Sequence, residues 1–199
     1  MKEIFLTQLR SKDTKMGDFR KAAMALSRLL AAEAATHIST VPRNVETPLD
    51  NASGASLARQ PLIVLILRAG LAMLPSFIEL FPDAPVGFLG IRRNEKDASS
   101  MLYYENIPPI SSQNHLFLLD PMVATGGSAT LAIERLIAQG AIQNQIDLVS
   151  IIAAKPGIAR IQKQFPDVRR TVAAIDEHLN QHSYIIPGLG DFGDRFFSH

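Results

Sequence analysis

The stretch LFLLDPMVATGGSATLAIERLIAQG, residues 116–140, decides how the rest of the chain is read. Leu116, Phe117, Leu118 and Leu119 form an apolar run of the length expected for a buried parallel strand. Asp120-Pro121 ends it, because proline cannot donate to a ladder, so the strand stops on a carboxylate. Ala124, Thr125, Gly126, Gly127 and Ser128 follow, small residues that let the backbone turn tightly and aim several N–H groups inward. Ala129, Ala132, Ile133, Leu136 and Ile137 then recur at helical spacing, and Gly140 supplies the stop. A strand, a glycine turn and a helix N-terminus make a phosphate cradle, since unsatisfied N–H donors and the helix dipole both favour an anion.

Two common phosphate motifs fail here. No Lys follows Gly127, which excludes a P-loop NTPase, and the dinucleotide fingerprint does not match these residues. The bland alternative is a buried strand capped by an ordinary βα turn.

The bulk composition narrows the field. With 199 residues, 47% of them hydrophobic and 20% charged, the chain suits one globular α/β domain. No apolar run approaches the length of a membrane span, and the first residues lack the unbroken apolar core of a signal peptide. A net charge of +1 gives no electrostatic case for nucleic acid, so any anion site must be local. The lack of cysteine excludes disulfides and thiolate metal sites, and a cytoplasmic location is the easier reading.

Along the chain, residues 7–14 are polar and read as an N-terminal arm lying over the domain or over a neighbouring subunit, with basic residues that could equally be solvated surface. Phe19, Ala22, Ala23, Leu26, Leu29 and Leu30 predict an amphipathic helix. Residues 41–60 read as a connection with one short hairpin or strand around Val45. Residues 62–67, LIVLIL, are apolar throughout and predict a strand covered on both faces, ending on Arg68-Ala69-Gly70 and leading to a helix over 71–80. Residues 86–91 predict another strand, ending on Arg92-Arg93-Asn94-Glu95. Strand ends carry the ligands in such sheets, which makes Arg68 and Arg93 candidates, with solvated loop charges as the bland alternative. Between Lys96 and Pro109 the pattern is lost, which predicts a long loop or a β-ribbon carrying Tyr103 and Tyr104. Strands over 146–153 and 172–175, with a short helix between them through Phe165, complete one doubly wound, mainly parallel sheet.

Gly188-Leu189-Gly190-Asp191-Phe192-Gly193 matches the dinucleotide motif by letter, but no acid follows about 20 residues on. A rigid loop whose bare backbone can approach a small planar ligand is the better reading. His178 and His182, four apart, could share a helix face, though surface histidines are the simpler reading without a third ligand.

Taken with residues 7–14, Glu46-Thr47-Pro48-Leu49, Leu67-Arg68-Ala69-Gly70-Leu71, residues 120–128, Ala173-Ala174-Ile175-Asp176-Glu177 and residues 184–191, these features resemble the uracil phosphoribosyltransferases, of the type I phosphoribosyltransferase group, over nearly the whole chain. The resemblance implies one α/β domain over 1–199, with an arm at about 1–17 and a small C-terminal base-binding hood at about 176–199. It implies transfer of a phosphoribosyl group from 5-phosphoribosyl 1-diphosphate to uracil, giving UMP and diphosphate, with magnesium (Mg2+) held by the diphosphate. Arg68 and Arg93 would grip the diphosphate, Asp120 the ribose hydroxyls, and Pro121, Met122, Val123, Ala124, Thr125, Gly126, Gly127 and Ser128 the 5-phosphate side of the donor. Ile185, Gly190, Asp191 and Phe192 would read uracil, with Asp191 also facing the donor; Arg68, Asp120 and Asp191 form the expected catalytic set. A homo-oligomer and, as in some relatives, a GTP effector follow from the same resemblance. Phe192 stands where the family has a small residue, and Arg92 and Asn94 replace an aromatic and an acid. These departures motivate two rival readings, a phosphoribosyl-binding regulator without turnover and transfer to a different base.

Overall fold

A computed structural model describes residues 1–93 and 100–198. Helices α1 (Lys2–Arg10) and α2 (Met16–Ala35) come first, followed by an antiparallel hairpin of β1 (Thr40–Glu46) and β2 (Asn51–Leu57). Next come β3 (Gln60–Leu67), a 3-10 turn (Ala69–Ala72), α3 (Leu74–Leu80), β4 (Val86–Arg93), β5 (Ser100–Asn106), β6 (Asn114–Leu119) and β7 (Met122–Val123). The chain continues through α4 (Gly127–Ala138), β8 (Ile146–Ala154), α5 (Lys155–Gln164) and β9 (Arg169–Asp176). The tail holds the two-residue strands β10 (His178–Leu179) and β11 (Ile185–Ile186), then α6 (Phe192–Phe197).

The sheet runs β5-β4-β3-β6-β8, with β9 beyond β8 and β7 extending the line of β6 alongside β8. Every pairing is parallel except that of the edge strand β5 with β4. Alternation splits β3 between two cores. Ile63 and Leu65 face α2 and α3, whereas Leu62, Val64 and Ile66 face α4 and α5. The apolar stripe of α2 buries Phe19, Ala22, Ala23, Leu26 and Leu30, and α4 ends in a Schellman motif. There the Ala141 N–H donates to Leu136 O and the Gly140 N–H to Ile137 O, both at 3.0 Å, with Gly140 at φ +103. No helix among the described residues is long and apolar enough to cross a membrane.

Several local expectations need correcting. The first half of the polar arm is helical: α1 reaches Arg10 and buries Leu6 and Leu9, so of the two placements expected for the arm the helix takes the one over the domain, as a packed element. The helix expected from Leu71 begins as a 3-10 turn, and α3 starts at Leu74 with Pro75 in its first turn, where a missing N–H is harmless. Proline does not end the ladder for good, because Met122 and Val123 pair again with Ile152 and Ala153. Of the loop and ribbon alternatives, the segment carrying Tyr103 and Tyr104 is ribbon, since β5 pairs antiparallel with β4 from Ser100 to Asn106; the part of that expectation over 94–99 lies outside the described residues. His178 lies in β10 and His182 in the turn that follows, so they share no helix face.

Candidate active site

The C-terminal ends of β3 and β6, the start of α4 and the tail converge on a cavity of about 310 Å³. Open parallel sheets put ligands there, because helix N-termini point to the same edge. Gly70 allows the approach. A Cβ on it would lie 2.7 Å from Leu119 O and 2.9 Å from Leu65 Cβ, so only glycine lets the turn after β3 press against the end of β6. Arg68 and Asp120 therefore line one cavity, and the peptide between Leu67 and Arg68 is cis.

Among the described residues Asp120 receives only a long contact from the Met122 N–H, 3.4 Å from Oδ1. Burial pushes its carboxyl up to about 7, and the Met122 bond opposes this weakly. Beyond it, Gly126 caps α4 at φ +77 without a side-chain bond; the Gly127 N–H makes only a long contact, 3.4 Å to Thr125 Oγ1, and the first turn of α4 faces the cavity with N–H groups that a ligand can take. The loop is tight on its outer side. A Cβ on Gly126 would meet Gly157 O at 2.8 Å, and one on Gly157 would meet Ala124 O at 2.3 Å. Two glycines from different elements thus hold the cradle against the start of α5.

Of the residues expected on the donor, Arg68, Asp120, Asp191 and residues 122–128 line the cavity, while Pro121 is buried beneath it. The backbone of Arg93 is the last of β4, and its side chain falls outside what is described. Asp191 combines two positions: it lines the cavity, and its Oδ1 accepts the Asp194 N–H at 2.9 Å as the N-cap of α6.

The residues expected on uracil are arranged differently. Ile185 and Phe192 are core residues, 4% and 0% exposed. The Phe192 ring centroid is 5.3 Å from that of Phe19 and 5.8 Å from that of Phe196. At the first position of a helix packed on α2, the ring removes more apolar surface from water by turning inward than by entering the cavity. The 187–190 loop, expected to read the base, has Gly188 and Gly190 at φ +63 and +81 and a cis peptide before Pro187. Arg10 holds this loop and is not free surface. Its guanidinium meets both Asp176 oxygens at 2.8 and 2.6 Å and donates to Gly188 O at 2.8 Å, while the Gly188 N–H donates to Asp176 Oδ2. The hydrogen bond from Arg10 keeps the Asp176 carboxyl below its ordinary value.

Two polar residues at the cradle carry no motif. Ser100 lines the cavity, and its Oγ lies 2.8 Å from where a Gly127 Cβ would sit; Arg160 Nη1 lies 3.7 Å from the same point. Ser100 falls in a stretch without periodicity. Arg160 had one available signal, since it follows Gly157 by three residues on α5 and so shares its helix face.

Among the described residues no three His, Cys, Asp or Glu side chains converge as a metal cage. Magnesium typically binds through one or two carboxylates plus substrate phosphate oxygens, and Asp120 and Asp191 beside an anion cradle fit that pattern.

Comparison with known proteins agrees with the geometry. The family model described as uracil phosphoribosyltransferase matches residues 2–198. A uracil phosphoribosyltransferase of Thermus thermophilus is 44% identical over 96% of this chain and 92% of its own length, and one of Salinibacter ruber is 39% identical over 96% and 90%. The solved AQ2163 protein of Aquifex aeolicus superposes with a TM-score of 0.91 at 36% identity, covering 99% of this chain and 94% of that one. A hypoxanthine phosphoribosyltransferase from Trypanosoma cruzi, 10% identical with a TM-score of 0.51 over 80% of this chain and 76% of its own, shares the fold. With the family model matched over residues 2–198 and relatives at about 40% identity covered nearly end to end, this chain belongs to the uracil phosphoribosyltransferase family.

Proposed function

We propose that the chain transfers the phosphoribosyl group from 5-phosphoribosyl 1-diphosphate to N1 of uracil in the cytoplasm, giving UMP and diphosphate. The observation that carries this reading is the meeting of Arg68, Asp120, the 122–128 turn and Asp191 around one cavity. The turn offers N–H donors to the 5-phosphate, Asp120 offers a carboxylate to the ribose hydroxyls, and Arg68 offers a cation to the diphosphate. As the bond from C1 to the diphosphate oxygen breaks, negative charge collects on the leaving group and positive charge on the ribose. Arg68 meets the first and Asp120 the second, so placement and electrostatics supply the rate enhancement. Magnesium, held by diphosphate oxygens with Asp191 at hand, supplies further charge neutralisation when bound.

Uracil is planar and carries donors and acceptors on its edge, which the backbone of residues 188–191 can match without a large side chain. The inward ring of Phe192 removes the crowding that favoured a regulator or a different base. The β1–β2 hairpin, with Val41, Val45 and Leu57 exposed, supports assembly into a homo-oligomer. GTP as an effector is tested in the same assay. Incubation with labelled uracil, donor and magnesium is expected to yield UMP, in the presence and absence of GTP. Binding of donor by calorimetry without any product overturns the transferase reading in favour of a regulator, and preference for another base in competition overturns the choice of uracil.

A further inference from the structure

The opposite end of the sheet holds a second, smaller polar cavity. Side chains alternate along strands, so His115 and Phe117 on β6, Asp147 on β8, and Arg169 and Thr171 on β9 share one face at the N-terminal ends of those strands. His37, just beyond α2, and Arg59, just before β3, complete the enclosure. His37, Ser39, Arg59, His115, Asn144 and Arg169 line about 110 Å³, with no carboxylate among them.

The acid beside them is already engaged. Asp147 is fully buried; its Oδ2 meets His37 Nδ1 at 2.6 Å, and its two oxygens accept from Thr171 Oγ1 at 3.0 and 3.2 Å. Among the described residues neither Arg59 nor Arg169 forms a salt bridge with a carboxylate. Arg169 Nη1 donates to His37 O at 3.3 Å, which anchors its guanidinium at the rim. His115 is 1% exposed, and among the described residues its Nε2 has no hydrogen-bond partner. A buried polar nitrogen without a partner is costly and rare, and this one belongs to a residue lining the cavity. Burial, then the charges of Arg169, His37 and Arg59, push His115 down to about 4. It is neutral near pH 7, and in the Nε2–H form it still donates.

We infer that this cavity binds one tetrahedral oxyanion, a phosphate group, between Arg59 and Arg169 with His115 Nε2 as a third donor. Guanidinium forks match phosphate oxygens in geometry and remain charged at all working pH values. The volume admits a phosphate group but not a nucleoside. The site is separate from the cradle, because His115 precedes Asp120 by five residues of one extended strand, about 16 Å at the usual rise. The group can arrive as free orthophosphate or as the end of a phosphorylated metabolite.

The test follows the imidazole Hε1 resonance of His115 in the full chain, assigned through His115→Gln, during titration with orthophosphate and, separately, with ribose 5-phosphate at matched ionic strength. A saturable shift with orthophosphate alone assigns a site for the free anion, and a shift with both assigns one that also accepts a phosphate ester. Arg59→Gln/Arg169→Gln is expected to weaken the effect by roughly tenfold or more while phosphoribosyl transfer stays unchanged. No shift with either compound, a shift reproduced by chloride, or equal affinity in the double variant overturns the site.

Discussion

Asp120 sits at a strand end where burial raises its carboxyl from 3.8 to about 7, so the folded chain holds a proton that the unfolded chain releases. Its contribution to stability is therefore fully present below the unfolded value and is lost as pH rises from about 4 through 7. At 1.36 kcal/mol per unit the full effect is at most about 4 kcal/mol, and water in the open cavity reduces it to about 2. Asp120→Asn is expected to be more stable than the wild type at pH 8 by about that amount and equal to it at pH 4, as read from denaturant midpoints. Ribose hydroxyls and a growing positive charge both prefer the ionised form. The wild-type kcat/KM for the donor should accordingly rise with pH to a plateau above about 7, and Asp120→Asn should lower it by about 10²–10³-fold and flatten the profile. A wild-type profile flat from pH 5 to 8 removes Asp120 from the charge-stabilising role. Phe192 gives the opposite kind of prediction. Since its ring lies between Phe19 and Phe196, Phe192→Ala should cost about 3–5 kcal/mol in unfolding free energy. The preference for uracil in base competition should stay unchanged, and a changed preference would place the residue in base selection after all.

The cradle is an element-scale object, because its shape depends on α4 and α5 meeting through glycine. A methyl on Gly157 would lie 2.3 Å from Ala124 O, a backbone atom that cannot swing away as a side chain could. Gly157→Ala is expected to push the 124–128 turn off its position and lower kcat/KM for the donor by about 10²-fold, the usual effect of a displacement near 1 Å. Thermal melts should still show a cooperative transition; a variant with unchanged KM and kcat would show that the turn tolerates the shift. Half of this contact was legible in the sequence. Thr125, Gly126 and Gly127 announce the turn because tight turns need small residues, whereas the demand on Gly157 comes from packing between elements thirty residues apart. The strands were readable for a related reason. A strand buried on both faces must be apolar at every position, as at residues 62–67 and 116–119, and few other structures require that. Helix α1 was not readable, since it buries only Leu6 and Leu9 in nine residues and leaves the apolar Ile4 exposed, so its apolar residues mark no clean stripe. The inward turn of Phe192 was equally hidden, because it depends on Phe19, which is remote in sequence.

Across the whole molecule the two ends of the chain are fastened to each other. Arg195 donates to Leu9 O, to Ser11 O at 2.6 Å and to Leu189 O at 2.8 Å, and its guanidinium lies 4.4 Å from the Phe19 ring centroid. Arg10 closes the same joint from the other side through Asp176 and Gly188. The 187–191 loop, proposed to read the base, is thus positioned by α1 as well as by the tail, and Arg10→Ala should affect it in three measurable ways. Removing one partner strands a mostly buried carboxylate, which costs about 3 kcal/mol at neutral pH. The Asp176 carboxyl is held below its ordinary value by Arg10, so the stability from this pair is present above that value and is lost as pH falls through the lowered one. Wild type and Arg10→Ala should therefore differ fully at pH 7 and converge in stability as pH falls through that lowered value. In hydrogen exchange, amides of both α1 and residues 185–198 should lose protection together while those of β3 and β6 keep theirs, because both strands are paired on each side and also pack, through Leu62, Val64, Ile66, Leu116 and Leu118, into the core on the far face of the sheet. With the loop loosened and the cradle intact, the KM for uracil should rise several-fold more than the KM for the donor. Equal changes in both constants, or exchange confined to α1, would mean that the arm stabilises the domain without shaping the base loop.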